Sequence, residues 1–285
     1  MDARNPFSIG LYITLTEKCI FSEFNCEIAG EFAIIGCMEK ETRPGTFFIG
    51  TSGWTYDHWK GNFYPAGMTR SHWFGYYTQK FNAVEINATF YRSFSDSTFE
   101  KWKARAPKGF GYTLKAPKVV SHRKLLRDVE EEIHGFCRSA ELLGDAYKMI
   151  LLQISPEMPY DHGLLRSALQ VFPDPGRVAV EFRAGYWFNP HTESLLSSVG
   201  AVFCNVDSPR QRMTEVLTSE RTYLRLHGRE HWYASNYSTE DLQRIAEISR
   251  RLVDRGASQV GIFFNNDYGG YAPANALSLA SLLSD

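Results

Sequence analysis

The feature that most limits how this chain can fold is an eightfold alternation of short apolar runs with helix-patterned segments, from about residue 46 to the C-terminus. Strands are expected at 47–51, 83–87, 111–115, 149–154, 177–182, 201–206, 222–227 and 259–264. These runs are rich in β-branched and aromatic residues and are bounded by Gly, Pro and polar clusters, as buried strands require. Helical character is expected at 71–81, 95–106, 128–143, 162–171, 191–198, 239–255 and 273–283. Ser95 and Asp96 read as a cap, Gly144 and Gly256 as stops, and Pro273 as a first helical position. The sixth connection, 207–221, is too short and irregular for a full helix.

Strands that are apolar on both faces need cover on both faces, which helices between parallel strands supply. Eight such units in about 240 residues predict an α/β fold of the (β/α)8 TIM-barrel type, a single domain over 46–285 with an irregular sixth α unit. An open doubly wound sheet would carry a Gly-rich turn after its first strand, and Gly50-Thr51-Ser52-Gly53 is no G-x-G-x-x-G. Residues 1–45 differ in character and read as an N-terminal extension, flexible or belonging to a misassigned start, with Met38 just ahead of the first strand. The apolar run from Phe7 to Leu15 follows Asp2 and Arg4 and lacks a small-residue cleavage site, so it is a poor signal peptide.

The formal net charge of −1 argues against wholesale coating of nucleic acid. Five cysteines without a C-x-x-C suggest free thiols in a reducing compartment, hence a cytoplasmic protein. No apolar run approaches the roughly 20 residues of a membrane span.

In a barrel of this kind the working face is the C-terminal end of the strands. Those ends carry Ser52 and Trp54, Glu85 and Asn87, Lys115, Gln153, Glu181 and Arg183, Asp207, Arg225 and His227, then Asn265, Asn266 and Asp267. Glu85/Asn87, Glu181/Arg183 and Arg225/His227 are pairs at i and i+2, so each pair shares one face of its strand. Inward parity would bring them into one polar pocket. Two readings stand: internal ion pairs that close the barrel top, or a ligand site.

As a site, Glu85 and Glu181 are the general acid/base candidates. Lys115 is an electrostatic stabiliser, or a nucleophile if burial lowers its pKa, and His227 is a second proton-transfer candidate. Arg183 and Arg225 would clamp an anion; Asn87, Asn265 and Asn266 would orient it, and Asp207 and Asp267 would line the pocket. Nine Lys/Arg and no Asp/Glu fall between Lys101 and Arg127, and Lys118 and His122 stand after the third strand, beside the pocket. This placement favours an anionic, phosphate-bearing ligand. Aromatic residues after the strands, Trp54 and Tyr91 among them, suit stacking on a sugar or a nucleobase. No cofactor is expected; Glu85, Glu181, Asp207 and His227 leave a divalent metal open, without the His-rich set a transition metal favours.

Assembled, Ile49-Gly50-Thr51-Ser52-Gly53-Trp54, Phe63-Tyr64-Pro65, Val84-Glu85-Ile86-Asn87 and Thr89-Phe90-Tyr91-Arg92 resemble the DUF72, or YecE-like, family, TIM barrels of unknown function. So do Phe110 to Lys115, Glu181-Phe182-Arg183, Arg225-Leu226-His227-Gly228, Phe264-Asn265-Asn266-Asp267, Ala272-Pro273 and Asn275-Ala276. The resemblance runs in order from about Phe47 to the C-terminus and implies the fold, not a reaction. The chain departs from the family pattern at Ala184, where a histidine is usual, at Ser155-Pro156 in place of Pro-Pro, and at 145–148.

The expected activity is carboxylate acid/base chemistry, of hydrolase or isomerase type, on a phosphate- or sugar-bearing ligand at the C-terminal face. A nucleic-acid-binding or repair-type nuclease barrel and a non-catalytic metabolite-binding protein are the alternatives.

Overall fold

The computed structural model describes residues 45–284; the expected N-terminal extension therefore lies outside the described residues, apart from residue 45. Eight strands form one parallel sheet: β1 (Thr46–Thr51), β2 (Ala83–Ile86), β3 (Gly111–Lys115), β4 (Tyr147–Gln153), β5 (Val178–Glu181), β6 (Val202–Asp207), β7 (Arg221–Leu226) and β8 (Gln259–Phe264). Their order, β1-β8-β7-β6-β5-β4-β3-β2, is that of a barrel read around its circumference. All seven ladders are parallel.

The eighth seam, between β1 and β2, is closed mostly by side chains. Asn82 accepts the Ile49 N–H at 2.8 Å and donates to the Phe47 carbonyl at 2.7 Å, doing the work of a strand backbone. The buried Tyr77 hydroxyl donates to the Ala83 carbonyl and accepts the Thr51 N–H. At the top, Ser52 and Glu85 form a single parallel bridge. The strands approach so closely here that a Cβ on Gly50 would stand 1.9 Å from the Ala83 oxygen, which is why only glycine fits.

Helices α1 (Arg70–Tyr77), α2 (Ala88–Tyr91), α3 (Asp96–Arg105), α4 (Glu130–Glu141), α5 (His162–Val171), α6 (Pro190–Val199), α7 (Thr239–Asp254) and α8 (Tyr271–Ser284) occupy the connections. The longest, α7, buries Leu242, Ile245, Ser249 and Leu252 at the i, i+3, i+4 spacing of one face, and opens with a Ser238/Asp241 capping box. No helix separates β6 from β7, in line with the irregular sixth unit. The amide of Asn205 pins that segment instead, accepting the Val216 N–H and the Thr214 hydroxyl and donating to the Val216 carbonyl.

Two local expectations need correction. Ser95 precedes α3, but its hydroxyl meets those of Ser97 and Thr98 rather than a backbone N–H. Pro273 is the third residue of α8, not the first; it is tolerated because first-turn N–H groups have no helical partner. The basic run divides between the two rims of the barrel. Lys101, Lys103 and Arg105 lie on α3 and Lys108 precedes β3, whereas Lys118, Arg123 and Lys124 follow β3 at the other rim.

The inner barrel holds an apolar floor that includes Met149, Leu151, Val202, Cys204, Tyr223 and Phe263. The inward positions above that floor carry the charged groups. Cys137 and Cys204 are buried free thiols. Among the described residues no helix is long and apolar enough to cross a membrane.

Candidate functional site

Arg225 is the hub of the barrel mouth. It is 1% exposed, and its guanidinium reaches two carboxylates from non-adjacent strands, β2 and β5. Nε donates to Glu85 Oε2 at 2.9 Å, Nη2 to Glu85 Oε1 at 2.7 Å and Nη1 to Glu181 Oε2 at 3.0 Å. Such a planar fork matches carboxylates in a way a lysine would not.

Glu85, from the end of β2, also accepts from Ser52 Oγ at 2.6 Å and from the Tyr223 hydroxyl at 2.7 Å. Burial pushes its carboxyl up, but Arg225 and these donors outweigh burial and leave the pKa below the usual value. Glu181, from the end of β5, faces Arg225, Gln153 Nε2 at 2.7 Å, His227 Nε2 at 3.0 Å and Arg183 Nε at 2.9 Å. Burial again raises its pKa, yet Arg183 and Arg225 draw it well below the carboxylate range.

His227 Nε2 stands between the Glu181 carboxylate at 3.0 Å and Arg225 Nη1 at 3.2 Å, while Nδ1 meets the Asn265 amide nitrogen at 3.1 Å. Burial, then Arg225, lowers its pKa to about 4. Lys115, at the end of β3, donates to Gln153 Oε1 at 3.0 Å and stands 4.1 Å from the Phe90 ring centroid. Burial, then Arg225, lowers its pKa to about 8. His122 sits in a π-helical turn (Val119–Arg123), and burial, then Lys115 and Lys118, lowers its pKa to about 4.

The three i, i+2 pairs therefore meet in one cluster. Asn87 lies beyond β2 in helical conformation, and its Oδ1 is 3.5 Å from Arg225 Nη2. Arg183 also lies against the Trp232 ring, 5.2 Å from its centroid.

Asp207, Asn266, Asp267 and Trp54 are engaged outside the cluster. Asp207 turns away to Arg229 at 2.9 Å. Asn266 bonds Asn275 and the Ser235 carbonyl, tying the loop after β7 to α8. Asp267 accepts from Trp59 Nε1 and meets His58, joining the loops after β8 and β1. Trp54 packs on Phe74 in the adjoining aromatic core. The grouping Glu85, Glu181, Asp207 and His227 does not fit a divalent metal, because the Arg225 guanidinium already lies between the two glutamates and Asp207 is committed elsewhere.

Gln153 and Tyr223 matter more than their sequence context suggested. Tyr223 precedes Arg225 by two, so inward parity was the available signal. Gln153 relays between Lys115 and Glu181, which only the strand register reveals.

A cleft of about 590 Å³ opens beside the cluster, lined by His122, Gln153, Arg183, Arg210, Trp232 and Tyr233 among others. Tyr233 holds a left-handed φ of 63°, unusual for a bulky residue, and its ring packs on His227. A larger hollow of about 660 Å³, between Asn82, Lys108, Phe110 and Leu283, lies away from every buried charge of the cluster. The smaller one is where chemistry is possible. Among the described residues the exposed large hydrophobic side chains are all tyrosines: Tyr91, Tyr160, Tyr186, Tyr233, Tyr268 and Tyr271. Each comes after the end of a strand, on the cleft side of the barrel. Lys118 is exposed on the same side.

Comparison with known proteins matches residues 48–285 to the family described as "Protein of unknown function DUF72". The UPF0759 protein YunF of Bacillus subtilis (strain 168) is 24% identical, over 83% of this chain and 94% of its own. The crystal structure of a DUF72 family protein from Thermotoga maritima MSB8 is 30% identical, covers 84% of this chain and 99% of that one, and has a TM-score of 0.76. A DUF72 family protein from Enterococcus faecalis V583 shares the fold at 20% identity and a TM-score of 0.73, covering 84% of this chain and 96% of its own.

Proposed function

The chain belongs to the DUF72 family, and from that premise we propose that it is an enzyme of hydrolase or isomerase type acting on a phosphate-bearing small molecule at the C-terminal mouth of its barrel. Fold alone assigns no reaction, so the site has to carry this reading. The observation that carries it is the charge count. Two carboxylates, Glu85 and Glu181, meet three cations, Arg225, Arg183 and Lys115, while burial keeps His227 and His122 neutral at pH 7. The surplus cation favours an anionic ligand.

Arg183 is best placed to meet that anion. Its Nε lies 2.9 Å from Glu181 Oε1, yet the angle leaves that N–H without an aligned hydrogen bond, and the side chain is 17% exposed at the cleft. Arg210 lines the same cleft. Glu85 and Glu181, held ionised by several donors each, are better suited to fixing Arg225 and Arg183 than to shuttling protons. Lys115, with a pKa of about 8, is the cluster's cation best able to give up its proton near neutral pH and so to react, and the rim tyrosines supply stacking faces for a sugar ring.

Calorimetric titration with paired sugars and sugar phosphates tests this. Phosphorylated members are expected to bind at least ~10-fold tighter, an advantage of about 1.4 kcal/mol that Arg183→Met removes. Equal affinity within each pair would refute it.

The tyrosine rim, with Lys118 and Arg123, supports one second reading, a single-stranded nucleic acid. Its affinity would fall steeply with salt, whereas a single phosphate contact gives a shallow dependence.

A further inference from the structure

The other buried charges at the barrel mouth are paired. Glu85 and Arg225 hold each other, Glu181 faces Arg225 and Arg183, and Asp207 holds Arg229. Lys115 differs. It is 6% exposed, yet among the described residues no carboxylate lies within ion-pair distance of Nζ. Its hydrogen-bond partner is the Gln153 amide oxygen at 3.0 Å, and the Phe90 ring lies under it. An amide oxygen accepts from a neutral amine as well as from an ammonium, so this partner does not lock the proton on as a carboxylate would. Gln153 is itself anchored by donating to Glu181, which fixes which end of the amide faces the lysine.

The surroundings complete a site. Gln153 and His122 belong to the wall of the cleft that also contains Arg183 and Arg210. His122 stands edge-on to Phe90, 5.0 Å between ring centroids, so the amine, the ring and the imidazole form one contiguous group.

We propose that Lys115 is a covalent site for an aldehyde or ketone that carries a phosphate group, bound as an imine through Nζ. The proposal rests on the anion-binding reading for the phosphate, which Arg183 and Arg210 would hold. The Nζ lone pair attacks the carbonyl carbon, a C–N bond forms, and the C=O π pair moves to oxygen. A proton passes from nitrogen to that oxygen, giving a carbinolamine. The oxygen then leaves as water with the second amine proton, and C=N remains. Atoms and charge balance without an oxidant or a metal. Gln153 holds the amine in place through the first step, and the Phe90 face limits the water around it.

Burial supports the same role, since it lowers the Lys115 pKa to about 8. At pH 7 about one such amine in ten is neutral, against about one in 2,500 for an ordinary lysine.

The test treats the full chain with pyridoxal 5′-phosphate or with pyridoxal, reduces with borohydride and maps the labelled lysines by mass. Lys115 is expected to react with pyridoxal 5′-phosphate at least ~10-fold faster at pH 7 than the exposed Lys101 and Lys108. Inorganic phosphate should slow that reaction, and Lys115→Met should abolish the fast phase. The map is read on the unaltered protein, so it stands even if the variant misfolds. A Lys115 rate no greater than that of Lys101 overturns the imine, and phosphate binding seen by calorimetry in the same sample would leave the anion site standing. Fast labelling by both aldehydes without phosphate protection supports the imine and overturns the phosphate reading.

Discussion

Replacing Arg225 with methionine keeps most of the side-chain length and removes the guanidinium that two fully buried carboxylates share. The Arg225–Glu85 and Arg225–Glu181 contacts are 2.7 Å and 3.0 Å long. Two unit charges about 4 Å apart at an effective dielectric near 20 attract by about 4 kcal/mol, and breaking one buried pair costs about 3–5 kcal/mol. Glu181 keeps His227 and Arg183, whereas Glu85 is left with only Ser52 and Tyr223. Arg225→Met should therefore cost about 3–5 kcal/mol at pH 8, set mainly by Glu85. The pH dependence has a definite sign. Without Arg225, burial dominates and the Glu85 pKa rises above its unfolded value, so the folded variant binds a proton more readily than the unfolded chain. The penalty is full at high pH and shrinks as pH falls through the raised pKa. A neutral Glu85→Gln partner should relieve it at every pH, with a coupling of at least ~2 kcal/mol in the double-mutant cycle. Urea unfolding followed by circular dichroism at pH 8 and pH 5.5 measures all three proteins. A loss below ~1 kcal/mol at pH 8, or an equal loss at both pH values, would refute the account of Arg225 as the charge hub.

Acid should destabilise the wild-type protein early. The His227 pKa is about 4 in the fold and rises to its ordinary value of 6.5 on unfolding. Stability is thus lost as pH falls from 6.5 towards 4, by about 3 kcal/mol from this group alone. Glu85 and Glu181, with lowered pKa values, add a further loss below about pH 4.5. A His227→Asn variant should show a shallower melting-temperature slope between pH 6.5 and 4.5; an unchanged slope would place the acid lability elsewhere. At the β1–β2 seam, Gly50→Ala puts a Cβ 1.9 Å from the Ala83 oxygen and should cost about 3 kcal/mol or more, measured by thermal melting. Gly75→Ala, in α1 with nothing within 4 Å, is the control and should stabilise by about 0.5–1 kcal/mol.

Much of this architecture was legible in the sequence, for a physical reason. A strand buried on both faces must be apolar along its length, and a polar residue at its C-terminal end must then point into the barrel mouth or out to the helices. Glu85, Glu181 and Arg225 were identifiable from that rule, and parity sent all three inward. Parity also separates residues that the end-of-strand rule groups together: Asp207 and Asn266 stand one position off the inward Val206 and Asn265, and they turn to Arg229 and Asn275. Parity gives neither depth nor partners.

What the sequence by itself determined was the repeat, the barrel and the set of ionisable groups at one face. Only the tertiary structure decided which of those groups neutralise one another. Glu85 comes from β2, Glu181 from β5 and Arg225 from β7, and the closed parallel register brings them within 3.0 Å of a single guanidinium. Local patterning sets which face a side chain occupies. Charge pairing depends on distances across the barrel, which are fixed when the seam between β1 and β2 closes through Asn82, Tyr77 and Ser52.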